Sequence, residues 1–288
     1  MSFYSVFRTE TFNHDTYAYS NYIGDALDSR LEFAFKYILQ YSNSLFEFNL
    51  YVWFIKLALL ISIFYLDSNF KLKYFWIYYV MLYQLMFDYT IVRYSVAVLV
   101  FIYGNTLLDR KFNYLGGAVS SFASFFHYSF LPTLLMNFGK IKVKNYLVVG
   151  SAIFILFFLI YKFYLPDFSI VFQYLEGKVN DETDSNLKIY KTILDFFFMV
   201  CFAYQSHFGR AWFSMLFFGI FSILDVYMPG FGFNRIRIIF EILIVLIYTR
   251  SLKNLNPRRF SVLIFILYLI GRFVLSIYDF NGSSYLEE

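Results

Sequence analysis

Four cationic side chains stand in, or at the ends of, apolar runs: Arg93 in "TIVRYSVAVLVF", His127 in "SFASFFHYSFLPTLL", and Arg235 and Arg237 in "GFNRIRIIFE". Ionisable groups at membrane depth are costly, so each implies a partner or a ligand. Guanidinium forks match the oxygens of a phosphate or diphosphate, and a neutral imidazole can exchange a proton near physiological pH. Gathered in one leaflet, these groups would suit a pyrophosphate carried on a lipid. A carrier of anionic solutes would present the same cluster. Glu241 lies one helical turn after Arg237 and is a candidate structural partner for it. Lys56 and Arg272 lie deeper in apolar stretches and read as paired inside a bundle or snorkelling to its surface. Asp195 and Asp225 read as lining a polar cavity. Pro132 disfavours a helix interior, so a break near His127 is expected to lift His127 and Ser129 into a wet cavity.

The elements that must position these groups follow from composition. Of 288 residues, 60% are hydrophobic, 25% aromatic and only 15% charged, a balance that belongs to multi-pass membrane proteins. The net charge of +4 includes no basic stripe, so no nucleic acid is expected. One cysteine, Cys201, permits no intramolecular disulfide, and no zinc spacing occurs, so no metal and no cofactor are expected. "MSFYSVF" is too short to be the apolar core of a signal peptide.

The fold class expected is an all-α polytopic bundle of about ten crossings, some short or re-entrant, forming one integral membrane domain over residues 1–288. Spans are expected at 49–66, 74–87, 93–108, two short passes within 114–137 meeting near His127 and Ser129, then 146–165, 190–205, 211–228, 235–249 and 260–278. Reading 114–137 as a hairpin puts half of the 24 basic residues, among them Arg110, Lys111, Lys140 and Arg250, in short loops on one side. By the positive-inside bias that side is cytoplasmic. Residues 1–48 and the loop 166–189 are then extracytoplasmic. The N-terminal segment has no span to carry it across, so either a short tail translocates or, the favoured expectation, a further helix lies upstream of Met1. In the loop, "FSIVFQYLEG" fits a short amphipathic helix on the bilayer that could hold sugars through Gln173 and Tyr174.

"FRTETFNHDTYAYSNYI", with Arg8, Asp15, Tyr17, Tyr19 and Tyr22, is followed by Glu32 in "RLEFAFKYIL". This resembles the extracytoplasmic start of EpsG-type, Wzy-like (O-antigen polymerase-like) polysaccharide polymerases: an Arg, an Asp with a spaced Tyr, then a Glu before the next span. "TIVRYSVAVLVF" resembles that family's Ile-Arg helix start, "SFASFFHYSFLP" its His-Ser segment, and "GFNRIRIIFE" its late arginine-led helix. Order and approximate spacing match over nearly the whole chain. Asn13-His14 replaces a glycine common in the family, and its first membrane helix is missing.

The resemblance implies a GT-C-like or Wzy-like metal-independent glycosyltransferase in the bacterial cytoplasmic membrane. It would join undecaprenyl-pyrophosphate-linked oligosaccharide units at the outer face, with such lipids as both donor and acceptor. A flippase and a chain-length regulator would be its companions. On that reading Arg93, Arg235, Arg237 and Arg8 bind pyrophosphate, and His127, Asp15 or Glu32 serves as general base. Tyr17, Tyr128 and Gln173 hold sugars. No nucleotide is needed, and no P-loop or dinucleotide fingerprint occurs. The alternatives are a lipid-linked oligosaccharide flippase or other transporter, whose folds usually carry internal repeats not found here, and a membrane acyltransferase.

Overall fold

The computed structural model describes residues 19–23, 32–67, 72–84, 92–133, 185–206, 209–227, 233–252 and 258–282. Among them every regular element is helical and none is a strand. The chain divides into two compact units, Met1–Thr133 and Leu134–Glu288.

In the first unit, α1 (Phe33–Gln40) leads into α2 (Leu45–Leu66). α2 begins four residues before the expected start at 49 because its first turn is capped. Ser44 Oγ accepts the Glu47 N–H at 3.2 Å, and the Glu47 carboxylate accepts the Asn43 N–H at 2.8 Å, satisfying donors that a bare terminus leaves open. After α3 (Lys73–Tyr79) the chain loosens into a π turn, Val80–Gln84; residues 85–87 of the helix expected to end at 87 lie outside the described residues. α4 (Val92–Asp109) and α5 (Asn113–Phe126) form a hairpin. Its tip uses Lys111 at φ 68°.

α4 is buried on every side, from Tyr94 through Ile102 and again from Gly104 to Leu107. α5 offers it a stripe of small residues, Gly116, Ser120 and Ala123, the packing that lets membrane helices approach closely. A Cβ placed on Gly104 would lie 2.8 Å from the Gly116 carbonyl oxygen. The two backbones are therefore too close for any side chain there.

α5 ends at His127, whose backbone is extended (φ −159°, ψ 122°), and a 3₁₀ turn, Tyr128–Thr133, follows. The break expected near His127 is present, and it falls on His127 itself, ahead of Pro132. A continued α-helix would drive the Pro132 ring into the Tyr128 carbonyl, four residues back. The rest of the expected hairpin, from residue 134, and the span expected at 146–165 lie outside the described residues.

In the second unit, α6 (Ser185–Ser206), α7 (Gly209–Tyr227), α8 (Phe233–Ser251) and α9 (Arg258–Gly282) match the expected spans with slightly longer ends. α8 is the enclosed element, buried from Arg237 to Thr249, with α6 and α7 packed on it.

The outer faces invert the pattern of a soluble protein. On α9, Phe260, Leu263, Leu267 and Ile270 are exposed while Ser261, Tyr268 and Arg272 are buried. α7 exposes Trp212, Leu216 and Ile223 but buries Ser214, Ser222 and Asp225. α2 exposes Phe54, Ile61 and Phe64 and buries Asn49 and Lys56. Aqueous surfaces do not carry contiguous apolar faces of this extent; hydrocarbon does. By length and apolarity α2 is the described helix able to cross a bilayer, and Thr192–Ser206, Ala211–Asp225 and Phe260–Val274 are shorter apolar helices. α8 fails that measure because Arg235, Arg237 and Glu241 sit in its first half.

Candidate functional site

In unit one, Arg93, Glu32 and His127 come together at the end of the α4–α5 hairpin away from Lys111. Arg93, at the start of α4, donates from Nε to the Tyr19 hydroxyl at 3.0 Å and from Nη1 to Glu32 Oε2. Its guanidinium carbon also stands over the Tyr19 ring, 5.7 Å from the centroid, a favourable placement for a cation. Its third nitrogen, Nη2, makes no bond to the described residues, and 21% of the side chain is exposed. Among the described residues, protein therefore engages Nε and Nη1 and leaves Nη2 uncommitted.

Glu32 sits just before α1 and is 4% exposed. Its Oε2 takes Arg93, and its Oε1 lies 4.0 Å from His127 Nε2. The other ring nitrogen of His127, Nδ1, accepts the backbone N–H of Ser129 at 3.2 Å. Tyr94 presents its ring edge-on to the imidazole, centroids 5.2 Å apart at 85°. Aromatic rings close the floor: Tyr19 against Phe48, Phe35 against Phe126 and Tyr94 against Phe130. Removed from water, such contacts gain strength.

Unit two holds a separate, more deeply buried charge network. Asp195 of α6 lies 3.5 Å from Arg237 Nη1 of α8 and 2.8 Å from Arg272 Nε of α9. The Arg272 contact is short but poorly aligned for a hydrogen bond, so it acts as an ion pair. Arg272 Nη2 also reaches Glu241 Oε2 at 3.4 Å, and the Tyr268 hydroxyl donates to Glu241 Oε1 at 2.7 Å. Thr192 stands 3.4 Å from Arg237. Asp195 and Glu241 are fully buried, Arg237 and Arg272 nearly so. Among the described residues two arginines stand against two carboxylates, the kind of compensation by which a low-dielectric interior tolerates charge.

The sequence-derived candidates are thus distributed as follows. Arg93, Glu32 and His127 come together in unit one. Tyr128, beside His127, is exposed. Arg237 is buried in the unit-two network, whereas Arg235, two residues earlier, is exposed. Glu241, suggested as a partner for Arg237 on its own helix, is held by Tyr268 and Arg272 of α9. Of the two readings open for Arg272, paired inside a bundle or snorkelling, it is buried and paired with Asp195 and Glu241. Arg8, Asp15, Tyr17, Gln173 and Tyr174 lie outside the described residues. Tyr19 as a ligand of Arg93, 74 residues away, and Tyr94 as the wall of His127 had no local signal. Among the described residues no group of three His, Cys, Asp or Glu side chains could hold a metal ion.

The family model described as the EpsG family matches residues 1–287. Neither a curated protein nor a solved structure matches the chain.

Proposed function

This chain belongs to the EpsG family, one of Wzy-like membrane polysaccharide polymerases, and on that premise we propose that it lengthens glycans on undecaprenyl pyrophosphate. Its donor is a growing chain on that lipid, and its acceptor is a further lipid-linked repeat unit. The reaction takes place at the outer face of the cytoplasmic membrane, within a bundle of about ten crossings. The observation that carries this reading is the family match over essentially the whole chain.

The chemistry breaks the bond between the donor's anomeric carbon and the pyrophosphate oxygen. A new bond forms between that carbon and an acceptor hydroxyl oxygen, and the hydroxyl proton passes to a base. Stabilising the departing diphosphate is the larger demand, and fixed donors in a dry site supply it best. The open Nη2 of Arg93 is aimed at that task while Glu32 and Tyr19 hold the rest of the fork. Arg8 is a further pyrophosphate ligand, and Arg235, exposed in the second unit, keeps that role only as the family resemblance implies it. Arg237 acts within its buried pairing with Asp195. The base is drawn from Asp15, Glu32 and His127, and Tyr17, Tyr128 and Gln173 face sugar.

Purified protein reconstituted with synthetic undecaprenyl-pyrophosphate repeat units is expected to yield a ladder of lengthened glycans without added nucleotide. Folded protein that binds the lipid and never lengthens it would count against polymerisation. In cells, deletion should leave single repeats on the carbohydrate-stained gel and abolish long chains. Loss of all surface glycan would instead indicate a flippase.

A further inference from the structure

We infer that His127 is a positioning residue of this site, directing its Nε2–H at the Glu32 carboxylate that holds Arg93, and is not the base that takes the acceptor's proton. This rests on the polymerase reading above and narrows its list of bases.

The inference starts from the backbone. His127 leaves α5 in an extended conformation and the next residue opens a 3₁₀ turn. That step brings the Ser129 N–H onto His127 Nδ1 at 3.2 Å. A neutral imidazole has one protonated and one unprotonated nitrogen, and the partner of one decides the state of the other. With Nδ1 accepting, the ring proton resides on Nε2. The only lone pair of the neutral ring is then filled by a backbone donor. A proton taken from substrate would have to displace that bond.

The other side of the ring agrees. Nε2 faces Glu32 Oε1 at 4.0 Å, longer than a direct hydrogen bond yet close enough for a carboxylate to favour an N–H over a lone pair. The Tyr94 ring, perpendicular to the imidazole, fixes its plane. Glu32 divides its two oxygens, Oε2 to Arg93 and Oε1 toward His127. A row of contacts therefore runs from Ser129 through His127 and Glu32 to Arg93 and Tyr19, joining the end of α5, the start of α1 and the start of α4. His127 acts through Glu32 on the direction of the Arg93 fork.

Glutamine and asparagine separate the two roles. In His127→Gln the side-chain amide N–H₂ can occupy the place of Nε2–H; in His127→Asn it cannot reach. Neither amide is a base. Steady-state rates of lengthening in proteoliposomes, at matched protein amounts, are expected to fall about tenfold in His127→Ala and His127→Asn, the lower end for a contact with a charged group that is longer than a direct hydrogen bond. His127→Gln is expected to recover most of that loss, and its kcat–pH profile should keep the shape of the wild type. A His127→Gln enzyme as slow as His127→Ala, or a wild-type acid limb in kcat that vanishes in His127→Gln, would overturn the inference. If the Ala and Asn variants fail to accumulate, the wild-type and Gln profiles still decide it. Wild-type protein that makes no ladder at all would instead sink the polymerase reading.

Discussion

Arg93 shows how much of the chemistry hangs on the shape of one side chain. A lysine would keep the charge but could not serve Tyr19, Glu32 and a ligand together, because an ammonium lacks the planar fork. Arg93→Lys is therefore expected to accumulate normally and to lose at least about tenfold in ladder formation, the rate equivalent of one charged contact; a rate equal to wild type would remove Arg93 from the site. The unit-two network makes a different prediction. Asp195→Asn leaves Arg237 and Arg272 without their shared carboxylate, and Glu241→Gln removes the charge that faces Arg272. Breaking one side of a buried pair costs about 3–5 kcal/mol, so both variants should lose solubility in detergent at markedly lower temperature. Thermal aggregation curves of the tagged proteins would read this.

Among the elements, α4 and α5 are joined most tightly, through glycine. Gly104→Ala would force a methyl group against the α5 backbone, where rigid neighbours cannot yield. An overpacking cost of about 1–3 kcal/mol is expected, visible as reduced folded yield. Gly271→Ala meets only the flexible end of Leu194 at 3.5 Å and should be neutral, or slightly stabilising through helix propensity. Equal yields for both would show that the hairpin separates freely. The sequence placed α4 to within a residue at each end, since the apolar core Val96–Ile102 is bracketed by Arg93 on one side and Asp109 on the other. Its span at 74–87 is helical as far as it is described, to Gln84, but "KYFWIYYVMLYQLMF" has apolar residues on every side, and periodicity cannot then reveal where an α-helix loosens into a π turn.

For the molecule as a whole, the inverted exposure of α2, α7 and α9 says that its outer faces meet lipid. Side chains at hairpin tips report which way the bundle stands. In a Cys201→Ser background, Tyr41→Cys should react with a membrane-impermeant thiol reagent on intact cells, being exposed between α1 and α2. Lys111→Cys, at the tip of the α4–α5 hairpin, should react only after permeabilisation. The reverse result would turn the proposed site toward the cytoplasm.

The amino-acid sequence alone determined that this is an all-helical membrane chain of EpsG type. Those properties follow from local composition, from the length of apolar runs, and from short motifs around Arg93, His127 and Arg235 in an ordered series. It also located the helix break at His127, because a proline acts on the carbonyl four residues before it. Only the tertiary structure decided who pairs with whom. Glu32 reaches Arg93 across 61 residues and Asp195 reaches Arg237 across 42, separations over which no periodicity carries information. It also split the four suspected cations into different states: one half-locked, one histidine bound through its backbone neighbour, one exposed and one buried. Charge in an apolar interior must be compensated, and the nearest carboxylate in space, rather than in sequence, does so.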